Sequence, residues 1–137
     1  MKHLVGLLLC CLSIVSIASL TGCATRPAAT GELEGIYALR GLGENTFPDA
    51  APAQIRIAGR SVSGRGPVNQ WSGQLVDGKV EGIIATRMAG RPELMQLEQQ
   101  LLSALEGATL RRDGTTGIRF TQGRQTVASF ELVRAGR

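Results

Sequence analysis

Trp71-Ser72-Gly73-Gln74-Leu75-Val76-Asp77-Gly78-Lys79-Val80-Glu81-Gly82-Ile83-Ile84-Ala85-Thr86 is the stretch that decides the fold. Two short strand-like runs, 71–76 and 79–86, are separated by Asp77-Gly78 alone. A two-residue type I′ turn needs positive φ at both central positions, and Asp-Gly tolerates it. The stretch reads as a β-hairpin.

Just upstream lies Gly64-Arg65-Gly66-Pro67-Val68-Asn69-Gln70, which leads into Trp71, the only tryptophan of the chain. Glycine accepts backbone angles closed to other residues, and proline fixes φ while removing a donor, so this loop has a built shape. Its first reading is architectural. Asn69 satisfies backbone groups locally, and Trp71 plugs the core as the next strand begins. The functional alternative is a recognition surface formed by Arg65, Asn69 and Trp71.

Further strands follow on both sides. Leu33, Gly35, Tyr37 and Leu39 alternate with Glu34, Ile36, Ala38 and Arg40, a period of two. Gly41–Pro52 is loop by composition. Gln54–Ile57 alternates, turns at Gly59-Arg60, and resumes at Ser61–Ser63. Ala108–Arg112, Thr115–Phe120 and Arg124–Val133 are strands separated by turns at Asp113-Gly114 and Gln122-Gly123, with Phe120, Phe130 and Leu132 as apolar anchors. Between the two groups, Glu93–Leu105 places Leu94, Leu97, Leu101, Leu102 and Leu105 on one helical stripe. Pro92 suits its first turn and Gly107 its end. The polar face lacks the basic residues of a membrane-surface helix, so the stripe is core. The expectation is a mainly β (α+β) domain: a small curled or closed antiparallel barrel-like sheet of about eight strands, with one covering helix.

The amino terminus reads as an address. Lys2 and His3 precede the apolar run Leu4–Leu20, which ends in Leu20-Thr21-Gly22-Cys23. Removing Met1–Gly22 takes away the only histidine, Cys10 and Cys11, and leaves Cys23 as the one cysteine. The remaining 115 residues carry 14 basic and 11 acidic side chains, too small an excess, and too scattered, to imply nucleic acid. Arg40, Arg56, Arg119 and Arg124 fit a solvated strand face. Ser-His-Asp and Cys-His catalysis, and zinc or copper sites built on His or Cys, are excluded by composition. The acidic residues show no EF-hand spacing, and Lys79 beside a hairpin turn is a poor partner for a catalytic serine. A distant carboxylate pair for glycoside hydrolysis stays open, although the aromatic platforms of a carbohydrate cleft are scarce. No catalytic residue, metal or cofactor is expected.

Leu20–Cys23 resembles the lipobox of bacterial lipoproteins. The resemblance implies cleavage before Cys23 and attachment of diacylglycerol to its thiol. Residues 1–22 would then be a signal peptide, and 23–31 a lipidated cysteine and tether. Acyl chains contribute ~0.8 kcal/mol per buried CH₂, so such an anchor is effectively permanent. Ala24, where an aspartate would imply inner-membrane retention, favours the outer membrane, facing the periplasm.

Residues 32–134 form a domain that, over most of Gly35–Leu132, resembles the META domain family. An aliphatic strand enters the glycine-rich loop Gly64–Asn69, Trp71-Ser72-Gly73 follows, then Thr86-Arg87-Met88-Ala89-Gly90 after a hairpin, and then a helix bearing Glu98 and Leu101–Leu105. The resemblance implies a compact, mostly antiparallel barrel without known catalytic residues, and an envelope or stress-related role. Family members commonly carry cysteines where this chain has Val68 and Gly90. Their joint absence implies a spatial pair replaced by packing. The expected function is that of a non-enzymatic, monomeric envelope lipoprotein, held to the membrane by its lipid anchor and acting on envelope proteins. The alternative is a small-ligand-binding barrel for a lipid, peptide or glycan.

Overall fold

The computed structural model of the chain describes residues 30–49 and 51–135. The expectations for the signal peptide, Cys23 and most of the tether fall outside the described residues.

After a 3-10 turn at Thr30–Leu33 come strands β1 (Gly35–Leu42), β2 (Asn45–Thr46), β3 (Gln54–Ala58), β4 (Ser61–Arg65), β5 (Gln70–Val76) and β6 (Lys79–Ala85). Helix α1 (Pro92–Leu105) follows, and β7 (Thr109–Asp113), β8 (Gly117–Gln122) and β9 (Gln125–Ala135) complete the domain. All strands are antiparallel neighbours in the order β2-β1-β3-β4-β5-β6-β7-β8-β9, and β1 also pairs with β9. The sheet therefore closes in a ring, a barrel-like fold that removes its long edges.

The Asp77-Gly78 turn has φ of 51° and 78°, the two positive values a type I′ turn requires. Gly43, Gly59 and Gly123 open the other two-residue turns, also with positive φ. Where the sequence suggested only loop, Asn45-Thr46 forms a short strand paired with Leu42 and Gly41. The Arg40 guanidinium steadies the residues just beyond it by donating to the carbonyls of Phe47 and Pro48. Leu33, read as the first strand residue, sits in the 3-10 turn, where its carbonyl accepts from the buried Tyr37 hydroxyl at 2.8 Å.

The ring is weakest between β6 and β7, whose ladder has the single pair Lys79–Thr109. Gly82, at φ 67°, lies where the β5–β6 register shifts, a bulge that bends β6 away from its neighbour. Two backbone donors freed by this parting, Gly82 N–H and Ile83 N–H, give hydrogen bonds of 3.1 Å to the Glu106 carboxylate at the end of α1. The helix itself packs against β9 and β1.

Alternating positions fill the interior. Leu39, Ile55, Ile57, Val62, Val80, Ile118 and Phe120 are enclosed, and Leu101 and Leu105 of α1 join them. Phe120 meets Phe130 edge to face at 5.7 Å, a favoured aromatic geometry. Truncating either enclosed leucine of α1 to alanine would cost about 2–5 kcal/mol. The leucine stripe is core, as its spacing indicated. The barrel is packed, not hollow.

Candidate functional site

The loop between β4 and β5 is closed by a 2.7 Å bond from Gly66 N–H to the Asn69 carbonyl, with Pro67 and Val68 at its tip. The side chain of Asn69 is buried, and it does not serve its own loop as the sequence suggested. Its Oδ1 accepts from Met88 N–H at 2.7 Å and from the Thr86 hydroxyl at 2.9 Å, both beyond the end of β6. Its Nδ2 donates at 2.6 Å to Oε1 of Glu98 on α1. The reason is position: the barrel end brings three chain segments within reach of residue 69, and the turn is already closed by backbone.

Glu98 completes the junction. Its Oε2 accepts from Val68 N–H at 2.9 Å and from Asn69 N–H at 2.6 Å. Burial alone would raise the pKa of this carboxyl. The bonds from the Asn69 N–H, the Asn69 side chain and Val68 N–H outweigh that effect and hold it below the ordinary glutamate value. Close approach demands glycine where the loop begins, because a Cβ on Gly66 would stand 2.6 Å from the Glu98 Oε2. One ionised carboxylate thus joins the β4–β5 loop, the exit of β6 and α1.

Val68 packs against Gly90, where an added Cβ would lie 3.3 Å from the Val68 Cβ. The two positions at which the family resemblance placed cysteines are therefore neighbours in space, and the valine side chain fills the space between them. Trp71 points inward and is 4% exposed. A Cβ on Gly64 would come within 2.6 Å of its indole, so only glycine lets the ring lie on the neighbouring strand. Its enclosed Nε1 has no hydrogen-bond partner among the described residues, a desolvation cost of about 1–3 kcal/mol.

Arg65 belongs to the opposite surface. Strand pairing sets Ile36 beside Arg56, Arg56 beside Ser63, Ser63 beside Ser72 and Ser72 beside Ile84, a single row across five strands on the outer face. The next row toward the barrel end carries Gln54, Arg65 and Gln70, and Thr86 N–H donates to the Gln70 carbonyl. Together they border a cleft of 660 Å³. Of the three loop residues named from sequence, Asn69 is structural, Arg65 lines the cleft from the outer face, and the enclosed Trp71 borders it from within the barrel wall.

A family model for the META domain matches residues 31–133. The chain belongs to the META domain family. Two solved structures are similar to this META domain. One, an NMR structure of a protein from Burkholderia xenovorans, is 23% identical with a TM-score of 0.57, over 81% of this chain and 89% of the other. The second, also an NMR structure, is 21% identical with a TM-score of 0.54, over 72% of this chain and 89% of the other. Likeness at this level shows a shared fold. No curated protein matches the chain.

Two residues of the site escaped the reading of composition and spacing. Glu98 was marked there only through the family resemblance, yet its signal was present: it falls four residues after Leu94 and three before Leu101, a carboxylate on the apolar stripe. Arg56 was placed among ordinary solvated arginines, and nothing in its local alternation distinguishes it from Arg40.

Proposed function

We propose that this META domain is an envelope lipoprotein module that acts by binding, not by catalysis. Membership of the META family supports an envelope-associated domain. In this reading Cys23 carries the lipid, residues 24–31 lift the domain from the bilayer, and the outer membrane holds it facing the periplasm. An envelope-stress or envelope-integrity accessory role fits such an anchored module.

The observation that carries the binding half of the reading is the division between a filled interior and an open outer face. Side chains occupy the space a barrel ligand would need, so recognition falls to the outer cleft beside Arg65. This relocates the small-ligand alternative from the interior to the surface.

The anchor is tested by Cys23→Ser with metabolic acyl labelling and membrane fractionation. The variant is expected to lose the label, accumulate as precursor, and yield no mature protein in the outer-membrane fraction. Normal processing and normal fractionation of the variant would overturn the lipoprotein reading.

A further inference from the structure

We infer that the outer-face cleft binds a small amphiphilic anion, a carboxylate or phosphate monoester carried on a short apolar body. The inference rests on the binding reading above and names the ligand class for that surface.

Charge comes first. The cleft is bordered by Arg56 and Arg65 and by no carboxylate. The two arginines are diagonal neighbours, since Arg56 pairs with Ser63 and Arg65 lies two residues further along β4. Diagonal positions on adjacent strands are about 7–8 Å apart, within joint reach of one anionic group for side chains as long as arginine. Four guanidinium groups elsewhere are partnered, Arg40 with Glu131 at 2.9 Å, Arg119 with Asp113 at 3.5 Å, Arg91 with Glu93 at 3.6 Å and Arg112 with Glu32 at 3.8 Å, and the arginines left unpaired among the described residues besides Arg56 and Arg65 do not line the cleft. Among the described residues, neither Arg56 nor Arg65 makes an ion pair or a side-chain hydrogen bond. Two adjacent cations without counter-charge raise the local potential and favour an anion, and guanidinium matches carboxylate and phosphate in a bidentate fork.

Shape comes second. Ser63 and Ser72, the smallest polar side chains of the row, form its middle, so the floor is low between taller neighbours. Their hydroxyls are hydrogen-bond donors facing the cleft and engaged, among the described residues, by no side chain or backbone group. The row spans four strand spacings of ~4.8 Å, about 19 Å in all, the length of a single extended small molecule.

Apolar surface comes third. Isoleucines flank the cleft at both ends, Ile36 half-buried, with Arg134 of β9 paired beyond it, and Ile84 72% exposed, the most exposed of the large apolar side chains among the described residues. An isoleucine is left open to water at the rim of a cationic cleft. A ligand with an anionic head over Arg56 and Arg65 and an apolar flank against Ile84 satisfies both features. Inorganic anions satisfy only the first.

The test is residue-resolved NMR of the full chain in neutral phosphatidylcholine nanodiscs, titrated with hexyl phosphate and hexanoate, and separately with inorganic phosphate and hexyltrimethylammonium. Either amphiphilic anion is expected to shift the amide signals of Arg56, Ser63, Arg65, Ser72 and Ile84. Arg56→Gln and Arg65→Gln are each expected to weaken this binding at least about tenfold, the effect of losing one charge-assisted contact. Arg124→Gln, in a turn away from the cleft, should leave it unchanged, and all three variants should keep the unfolding midpoint of the parent. Equal affinity for inorganic phosphate, or undiminished binding by both cleft variants, overturns the inference. Shifts of the same amides by the cation would remove the anion assignment and leave the cleft a binding site. Silence from every probe removes both the assignment and the surface on which the binding reading stands.

Discussion

Moving one negative charge between two side chains provides a stringent trial of the junction at the barrel end. In the parent, Glu98 only accepts: two backbone N–H groups on Oε2 and the Asn69 amide on Oε1. Asn69 cannot turn its amide over, because Oδ1 is already engaged by Met88 N–H and the Thr86 hydroxyl. In Glu98→Gln the new amide can keep its oxygen toward the backbone donors only by setting its NH₂ against the NH₂ of Asn69. One charge-assisted bond is lost and a buried donor is left opposed, for a cost of about 2–4 kcal/mol in spite of near-identical shape. Asn69→Asp fails in the opposite sense, with two carboxylate oxygens facing each other at the position of the 2.6 Å bond, and is expected to cost a similar amount. In the double variant the pattern is whole again. The amide at 98 donates to the carboxylate at 69, whose other oxygen receives Met88 and Thr86, and the carbonyl at 98 receives the backbone donors. Only the long 3.5 Å contact from Nδ2 to the Met88 carbonyl is lost. Urea unfolding followed by the fluorescence of Trp71 measures all four proteins. The single variants should each lose about 2–4 kcal/mol, the double variant should return to within about 1 kcal/mol of the parent, and the coupling should favour the pair by roughly 3 kcal/mol or more. A double variant whose loss equals the sum of the two singles would refute the hydrogen-bond assignment.

Two other substitutions probe the packing around this junction. Val68→Cys with Gly90→Cys should form a disulfide under oxidising conditions. A Cβ at position 90 stands 3.3 Å from that of Val68, close to the usual ~3.5–4.5 Å of a disulfide once the valine methyls are gone. Peptide mapping before and after reduction detects it, and the oxidised protein should gain about 3 kcal/mol of stability; persistent free thiols at both positions would show that the two segments do not meet. Gly64→Ala sets a methyl 2.5 Å from the Gln54 carbonyl oxygen and 2.6 Å from the indole, and should destabilise the domain by about 1–3 kcal/mol with a red shift of Trp71 emission. Unchanged stability and emission would mean that the indole does not lie on that strand.

Much of the fold was legible because its determinants are local. Asp77-Gly78 needs no distant partner to demand its turn, and the leucines of α1 state their own face. The strands announced themselves by alternation, which is why Ile55, Ile57 and Val62 could be placed inward before any contact was known. Asn45-Thr46 was missed because a strand of two residues has no period; it exists through its pairing with β1. Partners separated by long stretches of chain were equally hidden. Arg40 and Arg56 are alike in local pattern, and only closure of β1 against β9 brings Glu131, 91 residues away, to Arg40 and leaves Arg56 without a carboxylate. Asn69 was read as a residue of its own loop because asparagine so often is. Its partners lie 17 to 29 residues along the chain and become visible only when the barrel end assembles. The candidate site was accordingly half legible: the loop could be named, its glycines and tryptophan explained, but not the carboxylate that secures it or the second arginine that completes the cleft.

The most direct measurement of the central claim, that one ionised carboxylate holds three segments together, is the titration of the Glu98 carboxyl carbon by NMR. Because its folded pKa is depressed, the stability it contributes is present above the ordinary glutamate value of about 4.3 and is lost as pH falls through the folded pKa. The midpoint should lie below that ordinary value, and the amide signals of Val68 and Asn69 should move with it as their acceptor takes up a proton. A midpoint at or above the ordinary value, with Val68 and Asn69 silent through it, would contradict the account.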